Sequence, residues 1–211
     1  MKSSRLAQAL VALCSLALFA TATTGHGKQP PTAPGKYTEW DGSIDELEIV
    51  QPFQLRGFRR ILVLPIDISG VEMPTDNSRR PLEKVLADCT AYMAEQLDNE
   101  MPNRLKIKGT ATPADTDLRR NAGAIILRSR FTEMNPGSAA ARTFSRGFAG
   151  ATHITMKGEF IDGGTGQVLL RFSLHNYHSK AGLISRYMSA LEENMDQIAE
   201  SLGDLLKKVG R

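Results

Sequence analysis

The sequence has little cysteine and only one long apolar run. Its cysteines are Cys14 and Cys89. Cys14 lies in an N-terminal segment that we expect to be removed, which leaves one thiol and no internal disulfide. The apolar run, Leu6–Ala20, belongs to the same segment and is shorter than the ~20 residues of a membrane helix. We therefore expect no transmembrane helix after its removal.

A charge excess is also absent. The chain carries 26 basic and 23 acidic residues. Removal of Lys2 and Arg5 with the N-terminal segment lowers the net charge from +3 to +1. A mature chain this close to neutral does not favour nucleic acid as a partner.

Catalytic motifs are missing as well. The sequence contains no Gly-x-Ser-x-Gly elbow, no His-Glu-x-x-His pair and no phosphate-binding glycine loop followed by Lys-Ser/Thr. No nucleophile–base pair can be named, so we predict a protein that is not an enzyme, with no catalytic residue, no cofactor and no metal.

The N-terminus has the features of a secretory signal peptide. Lys2 and Arg5 precede the apolar run, and Ala20-Thr21-Ala22 matches the small-x-small rule for leader peptidase. We predict cleavage after Ala22, export by the general secretory route, and a periplasmic or outer-membrane-associated location. The alternatives are an uncleaved anchor and a lipoprotein anchored at Cys14, although Leu13 stands where a lipobox needs a small residue.

Three regions follow from this pattern: a signal peptide at 1–22, a flexible linker at 23–44 and an α/β domain at 45–211. The linker contains Pro30, Pro31 and Pro34 and few large apolar side chains. Leu47, Ile49 and Phe53 predict an edge strand just after it.

Alternating apolar residues predict three consecutive strands, at 123–133, 152–162 and 167–175. The run Asp162-Gly163-Gly164-Thr165-Gly166 predicts a hairpin between the last two. Two registers keep apolar residues opposite each other. We prefer the one that places Glu159 opposite Arg171, since the other would place Lys157 there; the other would also bring His153 opposite His175.

Two amphipathic helices, at 81–99 and 183–209, and a buried strand within 59–68 complete the prediction. Pro102 is expected to stop the first helix. The fold class is α/β (α+β): a single domain with a mixed sheet, a C-terminal antiparallel meander, and the two helices on one face. Cys89 lies on the apolar stripe of the first helix, which predicts an unreactive thiol.

Two groups of residues are candidate sites. Arg128 and Arg130 project from the polar side of a strand, and Arg142 and Arg146 lie on the following link; their guanidinium groups suit an anion or an anionic partner. A solvated surface is the alternative. His153, His175 and His178 would form a second site if they converged.

The order of a strand ending near Phe131, Asn135-Pro136-Gly137-Ser138 with Arg142, Gly147–Gly150, and a strand followed by Asp162…Thr165-Gly166 resembles a bacterial envelope family. That family is catalogued as domain of unknown function 4410, and many of its members are exported or lipid-anchored. The resemblance implies a location and a fold but no catalytic residues.

We therefore expect a non-catalytic envelope protein that binds or scaffolds another periplasmic or outer-membrane component. The alternatives are a periplasmic hydrolase or small-ligand-binding protein that uses the histidine end of the sheet, and a homo-oligomer assembled through the last helix.

Overall fold

The computed structural model describes residues 31–41, 44–71, 79–105, 108–110, 121–135, 152–178 and 187–211. These residues form seven strands and two α-helices. The strands are β1 (Gly35–Asp41), β2 (Ile44–Ile49), β3 (Arg60–Val63), β4 (Lys108–Thr110), β5 (Ala124–Asn135), β6 (Thr152–Asp162) and β7 (Val168–His178); the helices are α1 (Arg79–Leu105) and α2 (Tyr187–Val209).

All seven strands lie in one sheet, in the order β1-β2-β7-β6-β5-β3-β4. Strand β3 runs parallel to both β4 and β5, whereas the other pairs are antiparallel. The predicted fold class is confirmed: the sheet is mixed, β5, β6 and β7 form the antiparallel meander, and the two helices pack against one face.

The preferred hairpin register is also confirmed. Glu159 lies opposite Arg171, and Phe160 lies opposite Leu170. In the turn, Oδ1 of Asp162 accepts hydrogen bonds from the backbone N–H groups of Gly164 at 2.7 Å and Thr165 at 3.2 Å. Gly166 adopts a φ of 74°, a conformation that favours glycine.

The main core lies between the helices and the sheet. Strands β6 and β7 bury apolar side chains there, including Ile154 at 0% exposure and Phe172 at 4%. Helix α2 contributes the stripe predicted from its sequence, with Leu191, Met195 and Ile198 all at 0% exposure. Its residues 183–186, which the sequence placed in the helix, lie outside the described residues. Neither helix is long and apolar enough to cross a membrane.

Pro102 does not stop α1, which continues to Leu105, so that prediction was wrong. A proline inside a helix removes one hydrogen bond to the preceding turn. Met101 at 0% exposure and Leu105 at 8% flank it and are packed into the core, which holds the last turn in place.

Strand β3 is buried on both faces, as its unbroken apolar run predicted. Ile61 and Val63 belong to the main core, whereas Leu62 packs with Ile126 and Ile161 in a small second cluster. Beyond this cluster, the face of the sheet opposite the helices becomes polar.

The N-terminal part of the sheet corrects two expectations. Strand β1 occupies Gly35–Asp41, within the range predicted as linker, so the strands begin before residue 45. Strand β2 lies between β1 and β7 and is not an edge strand. Both differences come from strand pairing that the local composition of residues 23–44 does not reveal: β1 and β2 form an antiparallel hairpin, and long-range pairing of β2 with β7 joins that hairpin to the sheet.

Candidate functional site

The candidate site is the face of β1, β2, β7, β6 and β5 opposite the helices, which we call the open face. Side chains of successive strands point to alternate faces, so directly opposed residues form rows across the sheet. The first row consists of Lys36, Glu48, Arg171, Glu159 and Arg128. The second row consists of Thr38, Glu46, Ser173, Lys157 and Arg130.

Charges of opposite sign alternate along the first row, and three ion pairs join its members from Glu48 to Arg128. Nη1 of Arg171 lies 2.9 Å from Oε2 of Glu48, and its Nε lies 3.6 Å from Oε2 of Glu159. Nη1 of Arg128 lies 2.9 Å from Oε1 of Glu159. The hydrogen bond to Glu48 raises the pKa of Arg171, so this guanidinium stays charged.

The second row is different, because its two cations are neighbours. Lys157 of β6 lies directly opposite Arg130 of β5, and both side chains are exposed. Asp67 extends the row, since it forms an isolated parallel β-bridge with Arg130. The backbone of Asp67 makes hydrogen bonds to the two residues of β5 that flank Arg130. A hydrogen bond of 2.9 Å from the backbone N–H of Ser69 holds the pKa of Asp67 below its usual value.

The two rows line a concavity of about 610 Å³. Five cationic side chains line it, those of Lys36, Arg128, Arg130, Lys157 and Arg171. They are opposed by four carboxylates, those of Glu46, Glu48, Asp67 and Glu159. The difference is one positive charge, so the total charge of the concavity is nearly balanced. Positive charge is in local excess at Lys157 and Arg130.

The structure describes two of the four residues of the predicted arginine site. Arg128 and Arg130 point to the open face, one in each row. Arg142 and Arg146 lie outside the described residues. The sequence interpretation missed Lys36, Glu48 and Lys157 as members of this face. Their signal was alternation: Lys36 and Glu48 flank Tyr37 and Leu47, which face the core.

The histidines do not meet as the alternative register required. His175 lies opposite Thr155, and His153 lies opposite Tyr177. His175 contacts Asp45, whereas Nε2 of His153 lies 2.7 Å from Oε1 of Glu133. His178 pairs with Thr152 in the ladder, and its side chain is not described. Across the described ranges, no group of three or more His, Cys, Asp or Glu side chains is arranged to hold a metal ion.

The thiol of Cys89 lies in the core, at 0% exposure. Burial raises its pKa to about 12, and the neighbouring carboxylates of Asp88 and Glu192 act in the same direction. A thiol that is both inaccessible and protonated at neutral pH is a poor nucleophile, in agreement with the sequence-based interpretation.

The comparison with solved structures found several similar chains. The chain is similar to a PelC dodecamer from Paraburkholderia phytofirmans, with 12% identity, a TM-score of 0.49 and coverage of 74% of this chain and 96% of that chain. Protein XCC0632 from Xanthomonas campestris shows 10% identity, a TM-score of 0.45 and coverage of 72% and 85%. Lipoprotein GNA1162 from Neisseria meningitidis shows 16% identity, a TM-score of 0.30 and coverage of 69% and 98%. No match to a curated protein was found.

A family model matches the sequence over residues 61–182. The matched range contains β3 except for its first residue, α1, and the whole antiparallel meander, and therefore most of the open face. It also contains the glycine-rich link that prompted the family assignment from sequence. This match covers more than half of the chain, and the protein belongs to the family described as Domain of unknown function (DUF4410).

Proposed function

We propose that this protein is an exported, non-catalytic binding protein of the bacterial envelope that holds another envelope protein on its open face. The observation that carries the proposal is the contrast between the two faces of the sheet. One face is filled by helices, whereas the other presents two rows of charged side chains around a concavity of about 610 Å³. A charged concave surface recognises a partner through complementary charges.

The location rests on the N-terminal signal sequence. Cleavage after Ala22 would give a mature chain that begins at Thr23 and is released into the periplasm. N-terminal sequencing of protein purified from the envelope fraction tests this. A mature chain that begins at a lipid-modified Cys14 would instead support the lipoprotein alternative.

Crosslinking in intact cells tests the binding face. A photo-crosslinking residue placed at Thr38, on the open face, is expected to give a discrete adduct with another envelope protein. The matched control is Lys84 on α1, because its side chain is 78% exposed on the helix layer. Adducts that form equally from both positions, or from Lys84 alone, would contradict the proposal.

The predicted contact residues provide a second test. Charge reversal at Arg128 and Arg130, and separately at Arg142 and Arg146, is expected to reduce the yield of the Thr38 adduct. An unchanged yield in both double variants would remove the arginines from the binding surface.

Homo-oligomerisation through the last helix has less support. The apolar stripe of α2 is buried in the core of its own chain, from Leu191 at 0% exposure to Val209 at 4%. A second copy could not reach it without unfolding. Sizing of the mature protein at several concentrations tests for assembly through any other surface.

A further inference from the structure

The second row of the open face contains an electrostatic imbalance. Lys157 and Arg130 are directly opposed residues on adjacent antiparallel strands, which is an unfavourable position for two like charges. Each cation of the first row has a carboxylate directly opposite it. The second row does not continue this alternation of charge, because two of its cations lie side by side.

Lys157 has no compensating ion pair among the residues that the structure describes. Within the described part of the chain, the ion pairs of the open face join Arg128 and Arg171 to carboxylates, and none includes Lys157. The nearest residue of the same row on β7 is Ser173, whose hydroxyl can donate a hydrogen bond. Three donor side chains, those of Ser173, Lys157 and Arg130, are therefore consecutive along the row.

We propose that Lys157, Arg130 and Ser173 form a subsite for a carboxylate group on an acidic segment of the partner protein. This inference rests on the proposed function and specifies the chemistry of the occupant. A carboxylate between the two cations would restore the alternation of charge, and the guanidinium of Arg130 could bind it in a bidentate manner.

The charge of the whole concavity favours a carboxylate over a phosphate. Its lining groups differ by a single positive charge, and Glu46, Glu159 and Asp67 surround the subsite. A doubly charged phosphate would be repelled by these carboxylates, whereas a singly charged carboxylate matches the local excess.

The dimensions favour a segment of polypeptide over a free small acid. The concavity extends over five neighbouring strands. Four inter-strand spacings of about 4.8 Å give a length of about 19 Å, which corresponds to about six residues of extended chain. Such a segment could place one carboxylate in the subsite and its other side chains along the first row.

Binding of a labelled, capped hexapeptide with one glutamate among five glutamines to the mature protein tests the subsite, with capped hexaglutamine as the uncharged comparison peptide. We expect saturable binding of the single-glutamate peptide that is weakened roughly tenfold by Lys157→Gln or Arg130→Gln, because each change removes a charge-assisted hydrogen bond. Both side chains are exposed, so neither change should prevent folding. The matched control is Lys84→Gln on α1, which is expected to leave binding unchanged.

Three results would overturn the subsite: no binding of the single-glutamate peptide, equal weakening by Lys84→Gln, or inorganic phosphate competing as well as acetate. The first, together with persistent crosslinking from Thr38 in cells, would refute the carboxylate but retain the binding face. Absence of the Thr38 adduct when the protein carries no substitution other than the crosslinking residue would refute the proposed function itself.

Discussion

Strand β6 shows how differently the two faces of the sheet are built. Its even-numbered residues Ile154, Met156 and Phe160 are fully buried under the helices. Its odd-numbered residues Lys157 and Glu159 belong to the two charged rows of the open face. On the core face the stabilisation comes from buried apolar area, which depends little on which neighbour supplies it. On the open face the stabilisation depends on the signs of the charges that lie opposite each other.

This comparison distinguishes the face that stabilises the fold from the face that we propose for binding. A core residue contributes about 1.5–3 kcal/mol when it is fully buried, whereas an exposed ion pair contributes about 0–1 kcal/mol. The open face can therefore change its charges with little effect on folding. Four substitutions can break or sharpen this comparison.

The largest effect is expected for Phe160→Ala on the core face. The ring is fully buried and packs against that of Phe172, with a centroid separation of 5.6 Å. Removal of the ring leaves a cavity, so the free energy of unfolding should fall by about 4 kcal/mol. Urea denaturation measures this. A loss below about 1 kcal/mol would mean that the core face is not the main source of stability.

Gly158→Ala should have the next largest effect. The ring of Phe172 occupies the space above this glycine, so an added Cβ would lie 2.6 Å from its Cζ and 2.7 Å from the carbonyl oxygen of Arg128. Overpacking of this kind should lower the free energy of unfolding by about 3 kcal/mol.

The matched control for this change is Gly57→Ala, since nothing lies within 4 Å of an added Cβ there. We expect its unfolding free energy to change by less than about 0.5 kcal/mol. Similar losses in the two alanine variants would show that glycine flexibility, and not the Phe172 contact, explains the first result.

Glu159→Gln should have a smaller and salt-dependent effect. This carboxylate is shared by Arg128 and Arg171, so its neutralisation leaves two guanidinium groups facing a neutral side chain. We expect a loss of about 1 kcal/mol at low ionic strength that shrinks toward zero in 1 M salt. Glu46→Gln is the control, because Glu46 lies opposite Ser173 and Thr38. A loss that is independent of salt would contradict a Coulombic origin.

Ser129→Ala should have the smallest effect, with the opposite sign. Ser129 lies on the core face at 3% exposure, and its Oγ has no hydrogen-bond partner. The burial of an unsatisfied hydroxyl is unfavourable, so alanine should leave stability unchanged or raise it by up to about 1 kcal/mol. Thermal unfolding would detect this. A clear decrease in the melting temperature would indicate that the hydroxyl has a partner in solution.

The local pattern of residues was sufficient for most of the fold. The alternation of apolar and polar residues identified β5, β6 and β7. The glycine-rich turn and the opposite charges of Glu159 and Arg171 selected the hairpin register. These features depend on neighbours close in sequence, so a single sequence contains them. Pro102 was one failure, because burial of Met101 and Leu105 outweighs the local preference to end the helix.

The candidate site could be predicted only in part. Arg128 and Arg130 were recognised from the polar side of a single strand. Their partners could not be recognised in the same way. Residues 136–151 link β5 to β6, and a link of that length does not fix the register of the two strands by turn geometry. The position of Lys157 opposite Arg130 was therefore not foreseeable.

By itself the sequence determined the family, the meander and the two apolar helix stripes, because each is a short-range or periodic property of the chain. Only the tertiary structure decided that β1 and β2 complete the sheet beside β7, where Glu48 meets Arg171 across 123 positions of sequence. Long-range strand pairing depends on which backbone edge is available after the core has formed, and that cannot be read from either strand alone.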